Sequence, residues 1–231
     1  MKDIEHIFFD LDRTLWDFEK NSGDTLSELF QELKLAEAGI PDVNAFIHIY
    51  VKMNDLCWQL YRENKISKAE LRTIRFEKAL NHFKVQNQHL THALAELYVE
   101  RSPFKTALFP GTIETLQYLS LKYSLHIITN GFEEVQHIKL RESGMRTYFK
   151  HIITSERAGY KKPDKQIFQF ALGSAGASSY NSLMIGDDWE VDVKGAMDAG
   201  MKAIHFHPEN EQSKENSPFT IQSLSELRSL L

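Results

Sequence analysis

Cysteine is almost missing from this chain: a single residue, Cys57, in 231 positions excludes a disulfide framework and a multi-cysteine zinc site. No uninterrupted apolar run approaches the ~20 residues needed to cross a bilayer. The charged start, Met1-Lys2-Asp3-Ile4-Glu5-His6, leads into a strand-like segment without the pattern of a signal peptide. Cations are not in excess either. The 27 Lys and Arg face 32 Asp and Glu, a formal net charge of −5, which speaks against a nucleic-acid polymer or a membrane surface as partner. The glycine-rich loops Gly-x-x-x-x-Gly-Lys-Ser/Thr and Gly-x-Gly-x-x-Gly are lacking. Pairs such as His89/His92 and His205/His207 have metal-compatible spacing but no cysteine partners, and read as ordinary surface or strand-end residues. With 42% hydrophobic and 26% charged residues, the chain reads as soluble and cytoplasmic, long enough for one large domain or a domain with an insertion.

Two textures follow one another along the chain. Short apolar runs end in polar residues: Ile7-Phe8-Phe9, Leu125-His126-Ile127-Ile128, His151-Ile152-Ile153, Leu183-Met184-Ile185 and Ala203-Ile204-His205-Phe206. Runs of this length and composition suit strands buried on both faces. Helical stripes such as Ile113/Leu116/Leu119 and Ile167/Phe168/Ala171/Leu172 lie between them, with Gly144 and Gly200 as helix stops. The alternation predicts an α/β fold, a Rossmann-like parallel sheet with helices on both faces. The second texture is purely helical. Leu26/Leu29/Phe30/Leu33, then Phe46 through Tyr61, a capping box at Ser67-Lys68-Ala69-Glu70, and Leu94/Leu97/Tyr98 predict an inserted four-helix domain. The boundaries expected are 1–15 and 104–231 for the core and 16–103 for the insertion. Gln212 to Pro218 reads as a polar loop.

Acids collect where these strands end. Asp10 and Asp12 follow the first strand, and residues two apart can face one site while Leu11 packs inward. Gly186-Asp187-Asp188-Trp189-Glu190-Val191-Asp192 follows another strand, so its acids fall on the same sheet edge, where α/β proteins bind ligands. Gathering these carboxylates demands a cation, and oxygen donors favour Mg²⁺. Asp188 and Glu190 also suit a helix start. Thr129-Asn130-Gly131 offers a hydroxyl, an amide and a backbone N–H for phosphate oxygens. In Lys162-Pro163 the proline is expected to open a helix and to hold the lysine in extended geometry, from which it can reach a phosphoryl group and offset the charge of Asp10.

These four pieces, in this order, resemble the haloacid dehalogenase superfamily across the whole chain. Asp10 to Thr14 matches its first motif, Thr129 the second, Lys162 the third, and Asp187 with Asp192 the fourth. The insertion stands where that superfamily carries a helical cap of the first type. One departure is Arg13, where glycine is commoner. The segments Ile128 to Phe132 and Lys162 to Phe168 resemble the pyrimidine 5′-nucleotidase branch.

The resemblance implies a Mg²⁺-dependent phosphatase acting on a small phosphorylated metabolite, a nucleoside monophosphate being favoured. Asp10 is then the nucleophile that forms an aspartyl-phosphate. Asp12 is the general acid/base, its proton retained by neighbouring carboxylates. Asp10, the Asp12 main-chain carbonyl and Asp187 are implied as metal ligands, with Asp192 and Asp188 supporting that shell. Thr129 and Lys162, with Asn130 and Gly131, bind the phosphoryl group, and the cap closes over the site. Trp16 and Phe18 are either rings on which a base stacks or packing at the hinge between domains. A 2-haloacid dehalogenase, a phosphomutase and a catalytically silent binding protein are the alternatives. Asp12 speaks against the first. The expected assembly is a monomer or weak dimer.

Overall fold

The computed structural model describes residues 3–208 and 220–231; the stretch Gln212 to Pro218 lies outside them. Strand β1 (His6–Phe9) is followed by four helices, α1 (Phe18–Glu32), α2 (Val43–Arg62), α3 (Lys68–His82) and α4 (Gln88–Arg101). The chain continues through α5 (Thr112–Ser120), β2 (Ser124–Thr129), α6 (Glu133–Glu142), β3 (Phe149–Thr154), α7 (Ser155–Ala158), α8 (Lys165–Ala175) and β4 (Ser182–Gly186). A π-helical turn (Trp189–Lys194) runs into α9 (Gly195–Asp198), followed by β5 (Lys202–Phe206) and the two-residue β6 (Thr220–Ile221). Two units form, Met1–Phe18 with Thr106–Leu231, and Glu19–Lys105.

In the first unit the strands pair in parallel in the order β3-β2-β1-β4-β5-β6. Each apolar run is a strand because its two faces have separate cores to fill. Ile7, Phe9, Ile127, Leu183 and Ile185 join one cluster with Leu116, Leu119 and Leu140, while Phe8, Ile128 and Met184 join another with Ile167, Phe168 and Ala171. Period-two alternation thus feeds both faces, and helices cover each. From β1 the chain builds the sheet outward on one side and then on the other. The carboxyl ends of β1 and β4, side by side at that reversal, are where open α/β sheets hold ligands.

The helical unit has its own core of Leu26, Leu29, Phe46, Tyr50, Phe76, Leu94 and Tyr98. Asp42 caps α2 by accepting from the Ala45 N–H, and the Ser67/Glu70 capping box opens α3. Buried Arg75 donates to Asn54 Oδ1 at 3.0 Å and lies within 5.9 Å of the Tyr50, Phe76 and Tyr98 ring centres. Trp16, assigned from sequence to the insertion, sits with the sheet unit, where its main chain bridges to Asp12 and Leu108.

The other end of the sheet carries a ladder of imidazoles. His126 stacks between His6 and His151, with ring centres 5.4 and 5.3 Å away, and against Phe8 at 4.6 Å. Burial, then the neighbouring His6, His151 and Lys150, lowers the His126 pKa from 6.5 to about 3. Because the folded-state value is depressed, His126 favours folding fully above pH 6.5 and loses that contribution as pH falls from 6.5 towards 3. The loss is about 1.4 kcal/mol per pH unit, or roughly 2 kcal/mol by pH 5. His126→Phe keeps a ring in the stack and removes this proton site. Urea midpoints at pH 7.5 and pH 5 are expected to fall less for the variant than for the wild type; equal falls exclude His126 as the source.

Candidate active site

Asp10 stands one residue beyond β1, its N–H bonded to the Ile185 carbonyl at 2.9 Å, so the β1–β4 pairing carries it directly to the sheet edge. The loop after β4 delivers Asp187, and the π-helical turn delivers Asp192. Turns of this type often mark functional sites. Gly186 permits the approach: a Cβ there would stand 2.3 Å from Asp192 Oδ2. Oxygens of Asp10, Asp187 and Asp192 converge within 4.8 Å of one another.

Lys162 lies among them. Its Nζ is 2.5 Å from Asp10 Oδ1 and 2.6 Å from Asp192 Oδ1, and the side chain is only 2% exposed. Burial opposes its charge, but Asp10 and Asp192 outweigh this and hold its pKa above the ordinary lysine value. Burial pushes the Asp10 carboxyl up to about 7; Lys162 works against this and Asp192 adds to it. Burial, then Asp192 and Asp10, also raises Asp187, with the Thr14 hydroxyl, 2.9 Å from Asp187 Oδ1, acting in the opposite sense. One ammonium among three carboxylates, two of them buried and Asp187 half-buried, leaves negative charge in surplus. A hard divalent cation with oxygen ligands fits that donor set.

The structure changes several expected roles. Asn130 does not point its amide outward: it accepts from Lys162 N–H at 2.8 Å and donates to the Lys162 carbonyl at 2.9 Å, clamping the lysine's main chain. The Gly131 N–H donates to Thr129 Oγ1 at 3.0 Å and is engaged within the loop. Asp188 is an N-cap, accepting from the Val191 N–H at 3.0 Å, while its own N–H donates to Asp192 Oδ2 at 3.2 Å. Pro163 does not open a helix. It follows a cis peptide bond, and Asp164 caps α8, accepting from the Gln166 N–H at 2.9 Å.

Neither ring near the first motif is simply open to a ligand. Trp16 is wholly buried in the sheet's core with the Lys139 ammonium 3.8 Å from its ring centre, which is packing rather than a stacking platform. Phe18 is partly buried under the Arg13 guanidinium at 4.8 Å. Arg13 itself has φ 65°, a left-handed conformation that glycine adopts at lower cost.

Asp12 faces donors rather than acids. Its Oδ1 accepts from Lys139 Nζ at 2.5 Å and its Oδ2 from Gln136 Nε2 at 2.7 Å. The crowding by carboxylates expected around Asp12 is found instead at Asp10 and Asp187.

A family model for haloacid dehalogenase-like hydrolases matches residues 4–200. The chain belongs to that family. Among curated members of this hydrolase family it is 30% identical to the pyrimidine 5′-nucleotidase YjjG of Escherichia coli, over 97% of this chain and 96% of that one. It is 32% identical to the pyrimidine 5′-nucleotidase PynA of Streptococcus pneumoniae, over 95% and 90%. The crystal structure of the HAD-hydrolase YfnB from Bacillus subtilis, bound to magnesium, superposes with a TM-score of 0.89 at 27% identity, covering 100% of this chain and 99% of the other.

Three contacts of this hydrolase's site escaped the sequence reading: Gln136, Lys139 and His205, whose Nε2 lies 2.8 Å from the Asp187 carbonyl oxygen. In the sequence His205 reads as a strand-end residue. Gln136 and Lys139 sit on a mixed-charge helix whose polar side chains look like an exposed face, and only their spacing of three hints that they act together.

Proposed function

We propose that this hydrolase is a Mg²⁺-dependent phosphatase whose substrates are nucleoside 5′-monophosphates, pyrimidine ones preferred. The observation that carries the phosphatase reading is the cluster at the carboxyl ends of β1 and β4, where oxygens of Asp10, Asp187 and Asp192 converge and buried Lys162 bonds to Asp10 and Asp192. Similarity to two pyrimidine 5′-nucleotidases over at least 95% of this chain supports the substrate class.

A carboxylate oxygen of Asp10 attacks phosphorus; the bond to the ester oxygen breaks, leaving an aspartyl-phosphate. The departing alkoxide takes a proton from Asp12, which has to be loaded with it before the transfer, because in the free site both Asp12 oxygens accept from Lys139 and Gln136. Water then attacks the phosphorus, its proton returns to Asp12, and inorganic phosphate leaves as Asp10 is restored, so the two transfers balance. Lys162 places an ammonium beside the attacking carboxylate and draws negative charge off the phosphoryl oxygens, while Thr129 donates a hydroxyl bond to them. Asp10, Asp187 and the main-chain carbonyl of Asp12 would hold the metal. The Asp192 carboxylate, engaged by Lys162 and the Asp188 N–H, serves as their support. When bound, Mg²⁺ supplies positive charge against the carboxylates and the phosphoryl group.

The test is kcat/KM for UMP, dTMP, AMP, phosphoglycolate and glucose 6-phosphate, with Mg²⁺ and with EDTA, beside chloride release from chloroacetate. Expected are hydrolysis that disappears in EDTA and returns with Mg²⁺, a pyrimidine nucleotide ranked first, and no chloride under either condition. A sugar phosphate or phosphoglycolate ahead by tenfold rejects the nucleotidase reading and leaves the phosphatase reading standing. Metal-independent chloride release rejects both.

A further inference from the structure

We propose that Gln136 and Lys139 of α6 are positioning residues that tie the acid/base Asp12 and the phosphoryl-binding hydroxyl of Thr129 into one preset unit. The proposal rests on the phosphatase reading and names two residues that the family motifs do not contain.

Both side chains are buried, Gln136 1% and Lys139 5% exposed, and residues three apart on a helix share a face. Lysine is almost never buried to that extent unless paired. Here the pairing is with Asp12 Oδ1 at 2.5 Å, with the ring of buried Trp16 on another side of the ammonium at 3.8 Å. The Gln136 amide nitrogen has two hydrogens and gives them to two acceptors, Asp12 Oδ2 at 2.7 Å and Thr129 Oγ1 at 2.9 Å. Each oxygen of Asp12 is thereby held by its own donor. Rotation of the carboxylate out of this plane would break a charge-assisted bond.

The consequence at Thr129 follows from counting lone pairs. Its hydroxyl oxygen accepts from Gln136 Nε2 and also from the Gly131 N–H at 3.0 Å. A hydroxyl has two acceptor sites and one proton. With both acceptor sites filled, the proton is left to donate, which is the polarity that a phosphoryl oxygen requires. Gly131 makes this possible. A Cβ at that position would stand 1.7 Å from Gln136 Nε2, so any side chain would shut the amide out. The amide carbonyl, Oε1, is buried without a hydrogen-bond partner among the described residues. An orphaned acceptor is costly, and its presence fits an amide whose placement is dictated by its nitrogen.

The experiment uses the full chain with Mg²⁺ and two esters, a nucleoside monophosphate whose alkoxide leaves poorly and p-nitrophenyl phosphate, whose leaving group needs little protonation. Lys139→Met is expected to lower kcat on the nucleotide by ~10–100-fold, part of the ~10²–10⁴-fold that acid/base assistance supplies, and to lower kcat on p-nitrophenyl phosphate by less than about threefold. Lys139→Arg should recover much of the loss. Gln136→Met alters no charge and leaves a similar volume. It should lower kcat on the nucleotide more than on p-nitrophenyl phosphate, add a smaller loss common to both esters, and weaken competitive inhibition by inorganic phosphate several-fold, the mark of a Thr129 donor no longer preset. If Lys139→Met does not fold, Gln136→Met carries the test alone. Equal losses on both esters, or unchanged kcat with only a lower melting temperature, overturn the positioning role. A wild-type chain that hydrolyses neither ester overturns the phosphatase reading and this proposal with it.

Discussion

Asp10→Asn is expected to remove turnover, by at least about 10⁴-fold, while the protein stays folded. The amide has nearly the shape of the carboxylate and keeps an oxygen that can accept from Lys162, but it is not a nucleophile, and loss of a covalent catalyst's nucleophile can cost on the order of 10⁶-fold. Stability should be kept or slightly raised. Asp10 is a buried acid whose pKa is already pushed to about 7, so the wild type bears the strain of ionising it beside Asp192. Removing one charge relieves that repulsion, and Lys162 still pairs with Asp192. Steady-state rates with a nucleotide and a melting curve decide the matter. A variant that retains a tenth of wild-type activity rules out the aspartyl-phosphate mechanism, and one that fails to fold shows that the charge on Asp10 holds the site together.

Lys162→Met should have the largest effect on stability. It removes the ammonium from a site where Asp10, Asp187 and Asp192 lie within 4.8 Å of one another. Breaking a buried ion pair from one side typically costs ~3–5 kcal/mol, here roughly 6–20 °C in melting temperature. The pH dependence has a definite sign. Burial and mutual repulsion already raise Asp10 and Asp187, and without Lys162 their folded-state values rise further. Acids with raised folded-state values favour folding when protonated, so the variant should be hurt less at pH 5.5 than at pH 8. Mg²⁺ should restore part of the loss, because it supplies the missing positive charge, whereas kcat should stay down by ~10²–10³-fold for want of the donor to the phosphoryl group. Melts at both pH values, with EDTA and with Mg²⁺, measure all three effects. A melting temperature that is equal at both pH values and indifferent to Mg²⁺ removes Lys162 from its role as the cluster's counter-charge.

The sequence by itself determined the elements and the strand ends on which the chemistry sits. Ile7-Phe8-Phe9 and Leu183-Met184-Ile185 declare buried strands because a parallel sheet covered on both faces needs apolar side chains at consecutive positions, and that requirement is local. The capping box at Ser67 and Glu70 is legible for the same reason, since its partners are three residues apart. The two-residue strand β6 and the π-helical turn were not legible. Thr220–Ile221 is too short for a periodic signal, and the turn exists to bring Asp192 against Gly186 and Lys162, contacts that no local pattern encodes.

Which donor each acid meets was decided by the tertiary structure alone. The partners of Asp12 are 124 and 127 residues away on α6, and the partner of Asp10 is 152 residues away. In sequence, Asn130 and Gly131 look like phosphate donors because their polar groups are unassigned there. Folding brings Lys162 and Gln136 against them and uses those groups to build the site. A residue's type sets which bonds it is able to make, while the acceptors left for a ligand follow from which bonds the packed chain has already satisfied.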